Sequence, residues 1–156
     1  VSMQELGWPV GRAQGVLIAD DDGVFRDIIQ RALERAGYHV LVAEDGSAAL
    51  ACYFACISLI DLVLTDISMP GMDGDELGAR VRASAAATPV IYMSGRSRAD
   101  LLEERRLSAT DVYLQKPFTR VSLLREVRAL LGMQLPPSAA GQRVATSSAM
   151  PSARNK

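Results

Sequence analysis

From Gly15 onward, short apolar runs rich in β-branched residues alternate with longer stretches in which apolar positions recur every three or four residues. That alternation is the pattern of βα units wound around a parallel sheet. Five units can be counted, with strands expected at 16–19, 38–43, 62–65, 90–93 and 112–114. All five are short and nearly all apolar, as strands covered on both faces must be. Helices are expected at 23–36, 46–58, 73–83, 97–106 and 119–131. In the first, Phe25, Ile28, Ile29, Ala32 and Leu33 make the apolar stripe, leaving Arg26, Asp27, Gln30, Arg31 and Glu34 to water, and Gly37 stops the last turn. In the last, Val121, Leu124, Val127, Leu130 and Leu131 form the stripe, with Thr119 as N-cap. Gly78 weakens the third helix by about 1 kcal/mol relative to alanine. The fold class is therefore α/β, a doubly wound five-stranded parallel sheet.

The chain divides into an N-terminal arm at 1–14, one domain at 15–131 and a tail at 132–156. The tail carries Pro136, Pro137, Arg143, Arg154 and Lys156 among Ser, Ala, Gly and Thr, with no acidic residue, and is expected to be disordered. A hydrophobic content of 49% supports a packed core for the rest. The formal net charge of -1 provides no basic footprint for nucleic acid, which argues against direct DNA binding. Cys52 and Cys56 lie four apart inside an apolar run and are expected as free thiols on one side of a helix. His39, the sole histidine, reads as a structural residue far from any site. Trp8 and Pro9 either pack on the domain or belong to a loose arm. No secretory signal is evident and no segment reaches the ~18 apolar residues of a membrane span, so no membrane partner and a cytoplasmic location are expected.

Ligands of open parallel sheets bind beyond the carboxyl ends of the strands. Here the first strand runs directly into Asp20, Asp21 and Asp22, the third into Asp66, the fourth into Ser94 and Gly95, and the fifth into Gln115, Lys116 and Pro117. If the first and third strands are neighbours, Asp20, Asp21 and Asp66 converge. Carboxylates so close repel unless a cation lies between them, and an oxygen-only cluster suits Mg2+. With Lys116 as a point charge and Ser94 as a hydroxyl donor, the set can neutralise a phosphoryl group from several sides. Taken singly, each has a plainer role: an acidic pair can cap a helix, an Asp can make a turn, a Lys can be solvated.

Residues 15–131 resemble the receiver domains of two-component response regulators. The segment DLVLTDISMPGMDG at 61–74 resembles the family's phosphorylation-site signature, VLIADDD at 16–22 its acidic strand, VIYMSG at 90–95 its hydroxyl-bearing strand, and YLQKPF at 113–118 its lysine-proline turn. The resemblance implies a flavodoxin-like sheet of order 2-1-3-4-5. It implies that Asp66 accepts a phosphoryl group from a sensor histidine kinase or histidine phosphotransferase. Asp21, Asp66 and the backbone carbonyl of Ser68 would bind Mg2+, with Asp20 acting mainly through a water. Lys116 would pair with the phosphoryl group across a cis Lys116–Pro117 peptide. Ser94 would move to hydrogen-bond the phosphoryl group and Tyr113 would swing inward, switching a surface formed by the fourth helix, fifth strand and fifth helix. That makes the chain a phosphoprotein of bacterial signal transduction that catalyses only its own phosphorylation and dephosphorylation, not an enzyme in the usual sense.

A stand-alone regulator acting on a downstream target protein is expected, because the tail is too short and polar to build an effector domain. A phosphorylation-independent adaptor would predict a damaged site, whereas these positions are intact. A hydrolase with an aspartyl-phosphate intermediate is disfavoured because Ser68, not a second Asp, lies two after Asp66, and no glycine-rich loop follows the first strand. Gly23 and Val24 open the first helix without the usual proline or acidic residue, and Arg96 borders access to the site.

Overall fold

The structure, a computed structural model, describes residues 1–8, 13–84 and 86–132. The expected tail lies outside the described residues but for Gly132, as does Pro9. Ten elements alternate: β1 (Gly15–Ala19), α1 (Gly23–Arg35), β2 (His39–Ala43), α2 (Gly46–Ala55), β3 (Leu62–Asp66), α3 (Gly74–Arg82), β4 (Val90–Ser94), α4 (Arg98–Glu103), β5 (Val112–Gln115) and α5 (Arg120–Leu130). All strand pairs are parallel, in the order β2-β1-β3-β4-β5.

Strand alternation divides the core in two. Val16, Ile18, Leu62, Leu64, Ile91 and Met93 point to the side covered by α1 and α5, where they meet Ile29, Leu33, Leu123, Leu124 and Val127. Leu17, Ala19, Val63 and Tyr92 point the other way, toward Ala49 and Tyr53 of α2, Leu77 and Val81 of α3 and Leu101 of α4. Burial on both faces is why β1, β3 and β4 show no polar alternation, whereas the edge strands β2 and β5, expected to be covered on both faces as well, are only part-buried because each has a neighbour on one side alone.

The helices start where side chains capture free backbone N–H groups. Asp22 accepts from Val24 and Phe25, Asp45 from Ala48, Ser97 from Asp100 and Thr119 from Ser122. After α1 the chain turns through Gly37 at φ 94°, with the Gly37 and Tyr38 N–H groups returning to Glu34 and Leu33. Gly78 is required by packing: a Cβ there would sit 1.9 Å from the Tyr92 hydroxyl oxygen.

Some expectations shift. Ile28 is 60% exposed and Val121 75% exposed, so the apolar stripes of α1 and α5 are narrower than the periodicity suggests, and Leu123 of α5 faces inward instead. The fourth helix, expected to reach 106, ends at Glu103, because Arg105 turns left-handed at φ 56°. The second ends at Ala55, with Cys56 as its C-cap. Both thiols are free, Cys56 buried and Cys52 half-buried. Trp8 stacks on His39 with ring centroids 4.4 Å apart, so that part of the arm packs on the domain.

Candidate functional site

Register delivers the site. Ala19 of β1 pairs with Thr65 of β3, so the next residues, Asp20 and Asp66, emerge side by side. Asp66 pairs with Met93 and Ser94 with Gln115, which brings Ser94 and Lys116 to the same rim. Asp20, Asp21 and Asp66 each offer a carboxylate oxygen within 4.8 Å of the others. Asp20 is fully buried, Asp66 partly buried and Asp21 exposed. Capping of α1 falls to Asp22, which leaves the preceding pair to the cluster.

Lys116 crosses the rim to hold the cluster together. Its Nζ donates to Asp20 Oδ2 at 2.7 Å and to Asp66 Oδ2 at 3.3 Å. One ammonium against three carboxylates leaves the site with excess negative charge. Burial pushes the Asp66 carboxyl above its ordinary range; Lys116 opposes this and Asp20 reinforces it. Asp20 is further anchored by the Asp22 N–H on its Oδ1 at 2.9 Å, while Arg26 donates to its carbonyl at 2.6 Å.

The Asp66 backbone is fixed from below. Thr65 Oγ1 donates to the Asp66 carbonyl at 2.8 Å. Gly74 presses on the same carbonyl so closely that a Cβ would stand 1.9 Å from it. The following loop is tethered by Arg106, whose guanidinium reaches Asp73 and Asp75 at 2.8 Å and the Ile67 carbonyl at 3.3 Å. Ser68 donates its backbone N–H to Asp66 Oδ1 at 3.4 Å.

Ser94 is buried, and its Oγ accepts the Arg96 N–H at 3.1 Å, which leaves the hydroxyl hydrogen available. Tyr113 is half-buried and donates its hydroxyl to the Ser94 carbonyl at 2.9 Å and to the Arg96 carbonyl. Arg96 also pairs with Glu104 at 2.8 Å, spanning α4. The Lys116–Pro117 peptide is cis. Of two clefts, one of about 270 Å3 is lined by Arg26, Ala43 and Glu44 and one of about 490 Å3 by Asp75, Arg105 and Arg106.

The sequence-expected residues Asp20, Asp21, Asp66 and Lys116 thus meet at one point, and Ser94 and Tyr113 join one another on the adjoining strands. Arg106, Arg26, Thr65 and the ring of Phe25, which lies against Lys116, were not among the expected site residues. Of these, Thr65 lies inside the signature segment at 61–74, but nothing in the sequence pairs Arg106 or Phe25 with the rim.

A parallel sheet of this order, with five helices around it and an acidic cluster at its carboxyl edge, is a flavodoxin-like fold of the receiver type. The chain belongs to the response regulator receiver domain family, whose description matches residues 16–128. It is 34% identical to the response regulator MprA of Mycolicibacterium vanbaalenii over 133 residues, covering 83% of this chain and 55% of that protein. Among solved structures it is similar to chemotaxis protein CheY4 of Vibrio cholerae, at TM-score 0.68 and 28% identity over 76% of this chain and 99% of that one. It also resembles the response regulator TrrA of Thermotoga maritima in complex with Mg(2+)-BeF, at TM-score 0.64 and 31% identity over 75% and 98% of the two chains. The chain spans about half the length of the curated relatives it matches. Among the described residues, no helix is long and apolar enough to cross a membrane.

Proposed function

We propose that this chain accepts a phosphoryl group on Asp66 from a phosphohistidine of a sensor kinase or phosphotransferase, and that the modification switches its contacts with a downstream protein. The observation that carries this reading is the shared lysine: Lys116 bridges a fully buried Asp20 and a partly exposed Asp66 at one rim. Asp66 alone of that pair can meet a donor, and its neighbours supply the compensating charge.

In the transfer, an Asp66 carboxylate oxygen attacks phosphorus. The phosphorus–nitrogen bond to the donor imidazole breaks, its electron pair stays on the imidazole nitrogen, and that nitrogen takes up a proton. Lys116 follows the charge that develops on the phosphoryl oxygens. Ser94 Oγ, already an acceptor from Arg96, has its hydrogen free to donate to one of them. The cluster's oxygen-only donors and surplus negative charge fit a hard divalent cation, so Asp20, Asp21, Asp66 and the Ser68 carbonyl would hold Mg2+. When bound, that ion would screen the carboxylates from the incoming phosphoryl group. The complex of TrrA with Mg(2+)-BeF supports this choice of ion.

Output would pass through α4, β5 and α5. Tyr113 of β5 is tied to the carbonyls on either side of Gly95, so a shift of Ser94 toward the phosphoryl group must disturb the start of α4.

Incubation with phosphoramidate, with and without Mg2+, tests the reading through the intact mass of the wild type and of Asp66→Asn. Gain of one phosphoryl group only with Mg2+, and its loss in the variant, is expected. No gain under either condition would sink the phosphoacceptor assignment and leave an adaptor that binds without modification.

A further inference from the structure

The Lys116 ammonium has a third neighbour that is not an oxygen. Nζ stands 4.2 Å from the ring centroid of Phe25, the third residue of α1. That ring is braced edge-on by Phe118, centroids 5.5 Å apart at 74°, so the two aromatics on either side of the lysine-proline turn lock together. The ring's position also depends on the acidic segment itself, because the Phe25 N–H donates to Asp22 Oδ1 at 3.1 Å. One short stretch of chain therefore supplies both Asp20 and the aromatic surface beside the ammonium, while Asp66 comes from β3.

The face of a phenyl ring carries partial negative charge and attracts a cation, most effectively where water is scarce. The Lys116 side chain is only 19% exposed. Unlike a carboxylate, the ring imposes no hydrogen-bond direction, so it supports the ammonium while allowing Nζ to turn from Asp20 toward a phosphoryl oxygen on Asp66. A leucine in its place would fill similar space and give no such support.

We propose that Phe25 is a positioning residue for phosphoryl transfer, a cation–π platform that keeps Lys116 Nζ poised between Asp20 and Asp66. The proposal rests on the phosphoacceptor reading above. If Phe25 served only as core, its electronic character would not matter.

The experiment uses the full chain with Phe25 replaced site-specifically by mono-, di- and trifluorinated phenylalanine, which weaken the ring's attraction for a cation with little change of shape, and by Leu in Phe25→Leu. Initial rates of phosphorylation by phosphoramidate are read from intact mass at saturating Mg2+, with melting temperatures alongside. Rates are expected to fall stepwise with fluorine number, by about three- to tenfold at the trifluoro ring, while melting temperatures stay level. A flat rate across the fluorine series, even with a slower Phe25→Leu, would overturn the platform and leave a packing role. A second readout stands apart from phosphorylation: the Lys116 side-chain protons nearest Nζ should resonate upfield in the wild type through the ring current, and move back in Phe25→Leu. If the wild type takes up no phosphoryl group, it is the phosphoacceptor reading that fails. The proton shift then decides the platform, and its absence would overturn it.

Discussion

Asp66 occupies a place where a carboxylate is uncomfortable, half withdrawn from water beside a second, fully buried carboxylate and sharing one lysine with it. Its raised pKa has a definite sign for stability. A carboxyl whose folded value exceeds the unfolded one costs stability at every pH above the folded value, and the cost vanishes as pH falls below the unfolded value. Asp66→Asn should therefore stabilise the protein near neutral pH, on the order of 1 kcal/mol, while abolishing phosphorylation. Denaturant titration would check this, and a lower midpoint would contradict it. Asp75 shows the opposite sign. Burial pushes its carboxyl up, but the Arg106 hydrogen bonds and charge outweigh burial and hold it below the ordinary carboxylate range. That stability is present above the unfolded carboxyl's range and is lost as pH falls through the lowered folded value. Arg106→Met should cost about 1–2 kcal/mol at pH 7, less than a fully buried charged pair because both partners keep some water contact. The gap between variant and wild type should narrow in unfolding curves taken below about pH 4.

At the scale of elements, α3 sets two rules against each other. Helix propensity predicts that Gly78→Ala stabilises by about 1 kcal/mol. Packing predicts the reverse, because the added Cβ would lie 1.9 Å from the hydroxyl oxygen and 2.6 Å from Cζ of fully buried Tyr92 on β4. Overpacking of about 1–3 kcal/mol should win, so the variant should melt lower. Tyr92→Leu placed beneath it should restore much of the loss in a double-mutant cycle. The Tyr92 hydroxyl has no hydrogen-bond partner among the described residues, and burial raises its pKa to about 12. Element order was legible because each strand is an apolar run bounded by turn residues, whereas the strand order 2-1-3-4-5 came from the family resemblance and not from the runs themselves. Faces and ends were less so. Ile28 adjoins Ile29, and periodicity alone does not say which of two adjacent isoleucines meets the sheet; Ile28 lies at the exposed margin. The end of α4 was hidden because the left-handed residue there is Arg105, where a glycine would have announced the turn.

Across the whole molecule, what could be read was what lies next to a strand end. Asp20, Asp66, Ser94 and Lys116 each close or follow an apolar strand, and parallel topology carries all four to one rim. What could not be read was contact across the sheet's edge between residues far apart in sequence. Phe25 meets Lys116, and Arg106 meets Ile67, only once five strands are in register. The same topology separates the ends of the molecule. The single tryptophan, Trp8, stacks on His39 at the opening residue of β2, whereas Asp66 closes β3, so about 13 Å of strand lies between the two rims. Light emitted by that indole is consequently a witness to the wrong event. It should change sharply as the arm undocks or the domain melts, and stay steady through the proposed gain and loss of a phosphoryl group at the far rim.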